Sequence, residues 1–244
     1  MIIVLKKTVD CTTVARIQLD ENNYQIPLRE NCMSEDIFLI GEDKTSSYVA
    51  FTLANSCMPT LVKQKPSSLV GFRKRYIDSR DNFFKALIKE CEGFDCCFRV
   101  LCEGKDELYI IIYNQVLLNE ILQQNRENPL FFENGYLIES CSLDAAIELL
   151  EDRYSRYQRN KTLGLEKGFP HEIGIFLGYP AGDVTEYIRN NGENYILCGY
   201  WKVYHNAEEA QRIFDLFTFI RRTAVGLFFA GRPLAEIRYS LRMN

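Results

Sequence analysis

Apolar and polar positions follow two rhythms along this 244-residue chain, period two and period 3.6, and the changes between them divide it into segments. Residues 1–43 carry period-two runs at Ile2–Lys6, Val14–Leu19, Tyr24–Leu28 and Ile37–Ile40, with the polar turn Asp20–Asn23 between two of them, so they read as a small β-rich extension. Tyr48–Ala54 is helical in pattern, with Ser46 or Ser47 as cap and Pro59 as its stop. Cys57–Leu69, with Pro59 and Pro66, reads as a loop. Ser79 caps a helix over Arg80–Glu92 that Gly93 closes, and Phe83, Phe84, Leu87 and Ile88 form its buried stripe. Cys96–Glu103 and Glu107–Tyr113 make a hairpin across Gly104–Asp106. Leu108–Tyr113 is apolar on both faces, which puts that strand in the middle of the sheet.

Three more capped helices follow. Asn114 starts Gln115–Gln124, Asn128 and Pro129 start a short one, and Ser142 starts Leu143–Asn160. The last of these turns Ala146, Leu149, Leu150, Tyr154 and Tyr157 inward and Glu148, Asp152, Arg153 and Arg156 to the surface. A final helix runs from Asn206 to Ala230, lined by Ile213, Phe214, Phe217, Ile220, Ala224 and Phe228. Between them lies the ambiguous stretch Phe169–Pro180. Ile173, Ile175 and Leu177 alternate as in a strand, whereas Ile173, Phe176 and Leu177 fit a helix; Pro170 and Glu172 at the start favour the helix. With Asp183–Asn191 as a second helix, closed by Gly192, the segment is helix-turn-helix-like. Tyr195–Tyr204 then reads as one strand, with Cys198, Tyr200, Lys202 and Tyr204 on one face and Tyr195, Leu197, Trp201 and Val203 on a core face. The fold class is α+β: a central mixed or antiparallel sheet with packed helices over 44–244, a helix-turn-helix-like segment, and the β-rich addition over 1–43.

Composition narrows the partners. A net charge of -4 and a pI near 5.4 supply no basic field for a phosphate backbone or an anionic membrane. The would-be recognition helix, Asp183–Arg189, sets one cation against two acids, which disfavours DNA and leaves the motif as a packing device. The most apolar late stretch, Thr223–Ala230, is far short of the roughly 20 residues of a membrane span. Met1–Lys7 lacks the features of a signal peptide, and nine cysteines are an odd number, so reduced thiols and a cytoplasmic location are expected. Cys91, Cys96, Cys97 and Cys102 invite a metal, but an extended strand separates Cys96 from Cys102 by about 20 Å and turns Cys97 the other way. Neither a P-loop, a dinucleotide glycine fingerprint nor a His-x-x-x-His pair occurs, so no cofactor is specified.

Two stretches carry a family resemblance. Phe169-Pro170-His171-Glu172-Ile173-Gly174-x-Phe176-Leu177-Gly178-Tyr179-Pro180-x-x-Asp183-Val184, followed by Cys198-Gly199-Tyr200-Trp201-Lys202-Val203-Tyr204, resembles the signature of a family of anaerobic Firmicutes and relatives catalogued as a domain of unknown function. Cys57-x-Pro59-Thr60-Leu61 and Lys65-Pro66-x-x-Leu69 resemble its amino-terminal motif. The resemblance spans about residues 46–225. It implies a setting beside flavodoxin and ferrous-iron transport genes and brings no activity with it.

The chemistry-bearing residues gather in the same stretches. His171 at a helix start tends to its neutral form and could serve as a base with Glu172, although neighbours on a helix diverge by about 100°. Cys57 and Cys198 are the nucleophile candidates, and Lys202, on the Cys198 face, could favour a thiolate there. Lys65, Tyr179, Tyr200, Trp201, Lys202 and Tyr204 are the ligand-binding candidates, the aromatics as platforms for a flat molecule such as a flavin or porphyrin. Each has a plain alternative: capping and packing for His171 and Glu172, small-hydrophobe burial for the cysteines, core for the aromatic strand. The leading expectation is a cytosolic small-ligand-binding or redox and iron-metabolism accessory protein, partnered by a small molecule or a redox protein. The alternatives are a cysteine- and histidine-dependent enzyme, or an interaction module.

Overall fold

The computed structural model describes residues 43–136, 142–165 and 168–241. The four strands expected in residues 1–43 lie outside the described residues, apart from Asp43. That residue caps the first helix, α1 (Lys44–Ser56), by accepting the Thr45 and Ser46 backbone N–H groups, so the cap is Asp43 rather than a serine. Pro59 does not terminate α1. It sits in the first turn of a second short helix, α2 (Met58–Leu61), where its missing N–H costs nothing.

The sheet has three antiparallel strands in the order β1-β3-β2, with β1 at Ser67–Arg73, β2 at Cys97–Glu103 and β3 at Glu107–Tyr113. β3 is central, as its two apolar faces require, and a bulge at Leu101 interrupts its register with β2. The loop expected over 57–69 ends early, because Ser67–Leu69 joins the sheet edge in register with Ile111–Tyr113. Pro66 precedes the strand and its carbonyl accepts the Asn114 N–H.

The helices between these strands and after them begin where their capping side chains stand. α3 (Arg80–Glu92), α4 (Gln115–Gln124), α5 (Pro129–Glu133) and α6 (Leu143–Thr162) start at Ser79, Asn114, Asn128 and Ser142, each of which accepts a first-turn N–H. On α3, Phe83 and Leu87 are buried but Ile88 faces solvent, so the stripe is narrower than its spacing suggests. The helix reading of the ambiguous stretch holds for four residues only, α7 (Ile173–Phe176), followed by α8 (Ala181–Arg189).

Alternate side chains of β3 feed two apolar cores, one on each face of the sheet. Leu108, Ile110 and Ile112 join α1, α2 and α3, while Ile111 and Tyr113 join α4 to α8. The long helix α9 (Ala207–Phe229) serves both: Ala210, Phe214 and Phe217 pack in the second core, and Ile220, Ala224 and Phe228 in the first, where α10 (Leu234–Ser240) also packs.

The expected strand over 195–204 is instead a tight hairpin, β4 (Leu197–Cys198) against β5 (Lys202–Val203). Gly199 lies in the turn between them. A Cβ there would lie 2.2 Å from the Phe214 ring of α9, so the chain can pass this close to the helix only at a residue without a side chain. Trp201 and Val203 are buried as expected, but Tyr195 is exposed rather than part of the core.

Candidate functional site

The signature stretches meet because small residues permit close backbone contact. Gly178 ends α7 at a positive φ of 76°, and a Cβ there would stand 2.6 Å from the Pro66 ring. Ser67 Oγ donates to the Phe176 carbonyl at 2.7 Å. Gly174 admits Val184 of α8, whose Cγ2 would lie 2.8 Å from a Cβ at that position. The motifs around residues 65–67 and 173–184 therefore form one packed joint.

Asp183 ties that joint to the hairpin. Its buried carboxylate accepts the Trp201 indole N–H at 2.7 Å on Oδ2, and the backbone N–H groups of Tyr204 and His205 at 2.9 and 3.1 Å on Oδ1. Sequence reasoning counted Asp183 as a repulsive acid on a recognition helix. Its hydrogen-bonding role depends on partners 18 and more residues away, which no local pattern reveals.

Several candidate residues are drawn into packing. Glu172 is fully buried and accepts from Arg153 Nε at 2.5 Å and Tyr136 Oη at 3.1 Å on Oε1, with Arg153 Nη2 3.4 Å from Oε2. Arg153, which the helical pattern put on the surface, reaches inward to neutralise it. Burial first, and the adjacent Glu172 carboxylate second, hold the Tyr136 phenol well above its usual range. Tyr179 stacks on Trp201 with centroids 5.4 Å apart and Lys65 Nζ lies 5.5 Å from the Tyr179 centroid. Tyr200 packs against Phe214 and Phe217 of α9, and its hydroxyl lies 3.5 Å from Thr218 Oγ1.

The cysteines stand apart from the histidine. Cys57 is fully buried in the first core, and burial pushes its thiol up to about 12, the reverse of an activated nucleophile. Cys198, half-buried, lies across the hairpin from Lys202, and the structure gives no contact between either thiol and His171. Among the described residues no group of three His, Cys, Asp or Glu side chains is placed to hold a metal.

What remains gathers round Tyr187 of α8. Gly192 closes α8 at a φ of 76°, its N–H donating to the Tyr187 carbonyl at 2.8 Å, and its missing Cβ leaves room for the Tyr187 ring, which would otherwise be 2.9 Å away. The turn aims the Gly192 carbonyl at the Lys202 ammonium, which donates to it at 2.5 Å. Lys202 Nζ also lies 4.5 Å from the Tyr195 centroid and 5.9 Å from that of Tyr187. The His171 ring lies 5.8 Å from that of Tyr187 and 5.1 Å from that of Phe169. Tyr204 follows Lys202 by two residues, in the bend just past the end of β5. Tyr187, the hub of this group, is not among the candidates that the sequence singles out.

Two buried polar atoms here have no hydrogen-bond partner: His171 Nδ1 and Tyr204 Oη. Burial lowers the His171 pKa below its ordinary 6.5, with Glu172 opposing, so the ring is neutral near pH 7. Burial raises the Tyr204 phenol, and Tyr187, Glu193, Asp183 and Glu186 add to the rise.

The family described as "Protein of unknown function (DUF3793)" matches residues 53–238, and the chain belongs to it. No curated protein and no solved structure matches the chain. No helix among the described residues is long and apolar enough to cross a membrane.

Proposed function

We propose that this family member is a small-ligand-binding protein whose site is the wall formed by His171, Tyr187, Lys202 and Tyr204. The observation that carries the reading is the pair of unpartnered buried atoms, His171 Nδ1, on a ring 5.8 Å from that of Tyr187, and Tyr204 Oη. A buried polar group without a partner costs about 1–3 kcal/mol, and native proteins leave few of them. A bound molecule that hydrogen-bonds to both would remove that cost, and the Tyr187 ring offers it an apolar face. In this reading Glu172, Trp201, Tyr179 and Lys65 build the support behind the site, and Tyr200 anchors the hairpin to α9.

The setting we propose is an accessory role in redox or iron metabolism in the reducing cytoplasm of an anaerobic bacterium. It draws on the signature resemblance, and the six described cysteines are free thiols.

The test is to denature the purified full chain and identify released small molecules by mass spectrometry, in wild type and in His171→Ala and Tyr204→Phe. A stoichiometric compound in wild type that both variants lose supports the reading. Equal retention by folded variants, or no compound together with no melting shift in flavin mononucleotide, haem or inorganic phosphate, overturns it.

A further inference from the structure

Lys202 has an environment that the packing of the hairpin does not account for. The residue is only 9% exposed, yet the ammonium meets one hydrogen-bond acceptor, the Gly192 carbonyl, and otherwise lies near the Tyr195 and Tyr187 rings. An ammonium carries three donors, and a buried one is ordinarily paired with an anion. Among the described residues no carboxylate comes within ion-pair distance of it. The acids nearby are otherwise engaged or outside: Asp183 accepts three N–H groups, Glu186 pairs with Arg189, and Glu193 is exposed. The two ring faces offset part of the desolvation cost, by about 0.5–2 kcal/mol for each such contact, and they leave donors unused.

These donors do not stand alone. Tyr204 Oη, two residues along the chain from Lys202, is buried and unpartnered, and so is His171 Nδ1, on a ring 5.8 Å from that of Tyr187. A buried cation with unused donors and two unpartnered hydrogen-bonding groups on neighbouring segments are the chemistry that recognises negatively charged oxygen.

We infer that the ligand of this site is an oxyanion, a carboxylate or phosphate group accepting from the Lys202 ammonium and the Tyr204 hydroxyl beside His171. The inference rests on the ligand-site reading above and specifies the charge of what binds there. Lys202 supplies the attraction, the phenol and imidazole fix the orientation, and Tyr187 and Tyr195 exclude water from the ion pair, which strengthens it.

The experiment measures the melting temperature of the full chain and, by calorimetry, its affinity for inorganic phosphate, glycerol 3-phosphate and acetate against chloride at equal ionic strength. Saturable stabilisation by at least one oxyanion is expected, weakened about tenfold or more in Lys202→Met and in Tyr204→Phe and largely kept in Lys202→Arg. Preference for glycerol 3-phosphate over phosphate identifies the group as part of a larger molecule, and the reverse identifies the free ion. Should Lys202→Met not fold, Tyr204→Phe and the wild-type comparison with chloride decide alone. A wild-type chain indifferent to all three oxyanions that still releases a neutral compound lost in Tyr204→Phe overturns the oxyanion and leaves the ligand site standing. Loss of both overturns both.

Discussion

The Trp201 indole N–H donates to the buried carboxylate of Asp183 at 2.7 Å, and that bond joins helix α8 to the hairpin carrying Lys202 and Tyr204. Three donors converge on this carboxylate, so Asp183→Ala leaves the buried Trp201 N–H and two part-buried backbone N–H groups without their acceptor. The expected loss is about 3 kcal/mol, from the cost of orphaned buried donors. Trp201 is the single tryptophan of the chain, so its fluorescence in a urea titration reports the change directly. A midpoint within error of wild type would remove Asp183 from its structural role.

Glu172 and Arg153 behave as a unit. Breaking a buried pair by removing one partner costs about 3–5 kcal/mol, because the other charge is left uncompensated. Glu172→Gln and Arg153→Met should each fall near that range, and Glu172→Leu combined with Arg153→Met should cost clearly less than the sum. Additive losses in denaturant melts would show that the two side chains act independently.

His171 sets a pH dependence of known sign. Burial lowers its folded pKa below 6.5, so the unfolded chain binds more protons. Its contribution to stability is present above about 6.5, the ordinary value, and is lost as pH falls from there towards the lower folded pKa. His171→Phe should flatten the fall in stability between about pH 7.5 and 5.5 relative to wild type. Parallel curves for the two proteins would contradict the assignment.

The glycines of the signature differ in what they permit. Gly199→Ala and Gly178→Ala each press a Cβ into a ring, at 2.2 Å from Phe214 and 2.6 Å from Pro66, and should destabilise by more than about 2 kcal/mol. Gly226, inside α9 with nothing within 4 Å of an added Cβ, is the matched control. Gly226→Ala should stabilise by about 0.5–1 kcal/mol through helix propensity. Thermal melts of the three variants separate these outcomes.

Much of the helical framework was legible because its signals are local. Ser79, Asn114, Asn128 and Ser142 each bond to a backbone group two or three residues away, so the cap and the helix start appear in the same short window. The centrality of β3 was legible for a similar reason, since both of its faces are apolar within one strand. Strand β1 was hidden by Pro66 and the Ser67-Ser68 pair, which read as loop yet place Ser67 against Phe176 and Ser68 against Thr60. The close approach at Gly199 involves Phe214 of a later helix. The site was half legible. His171, Lys202 and Tyr204 carry obvious chemistry, but which candidates turn inward is decided by Arg153, Tyr136 and Asp183, all distant in sequence from what they hold.

The most direct test uses the two histidines of the chain, His171 at the wall and the exposed His205. Imidazole ring signals are recorded by NMR for the purified full chain, for the same protein after denaturation, dialysis and refolding, and after the dialysed small-molecule fraction is returned. A ligand at the Tyr187 wall predicts that the His171 signals move on stripping and return on addition, with those of His205 nearly unchanged. His171 signals identical in all three samples, in a protein shown by mass spectrometry to have carried a ligand, would contradict its placement at this site.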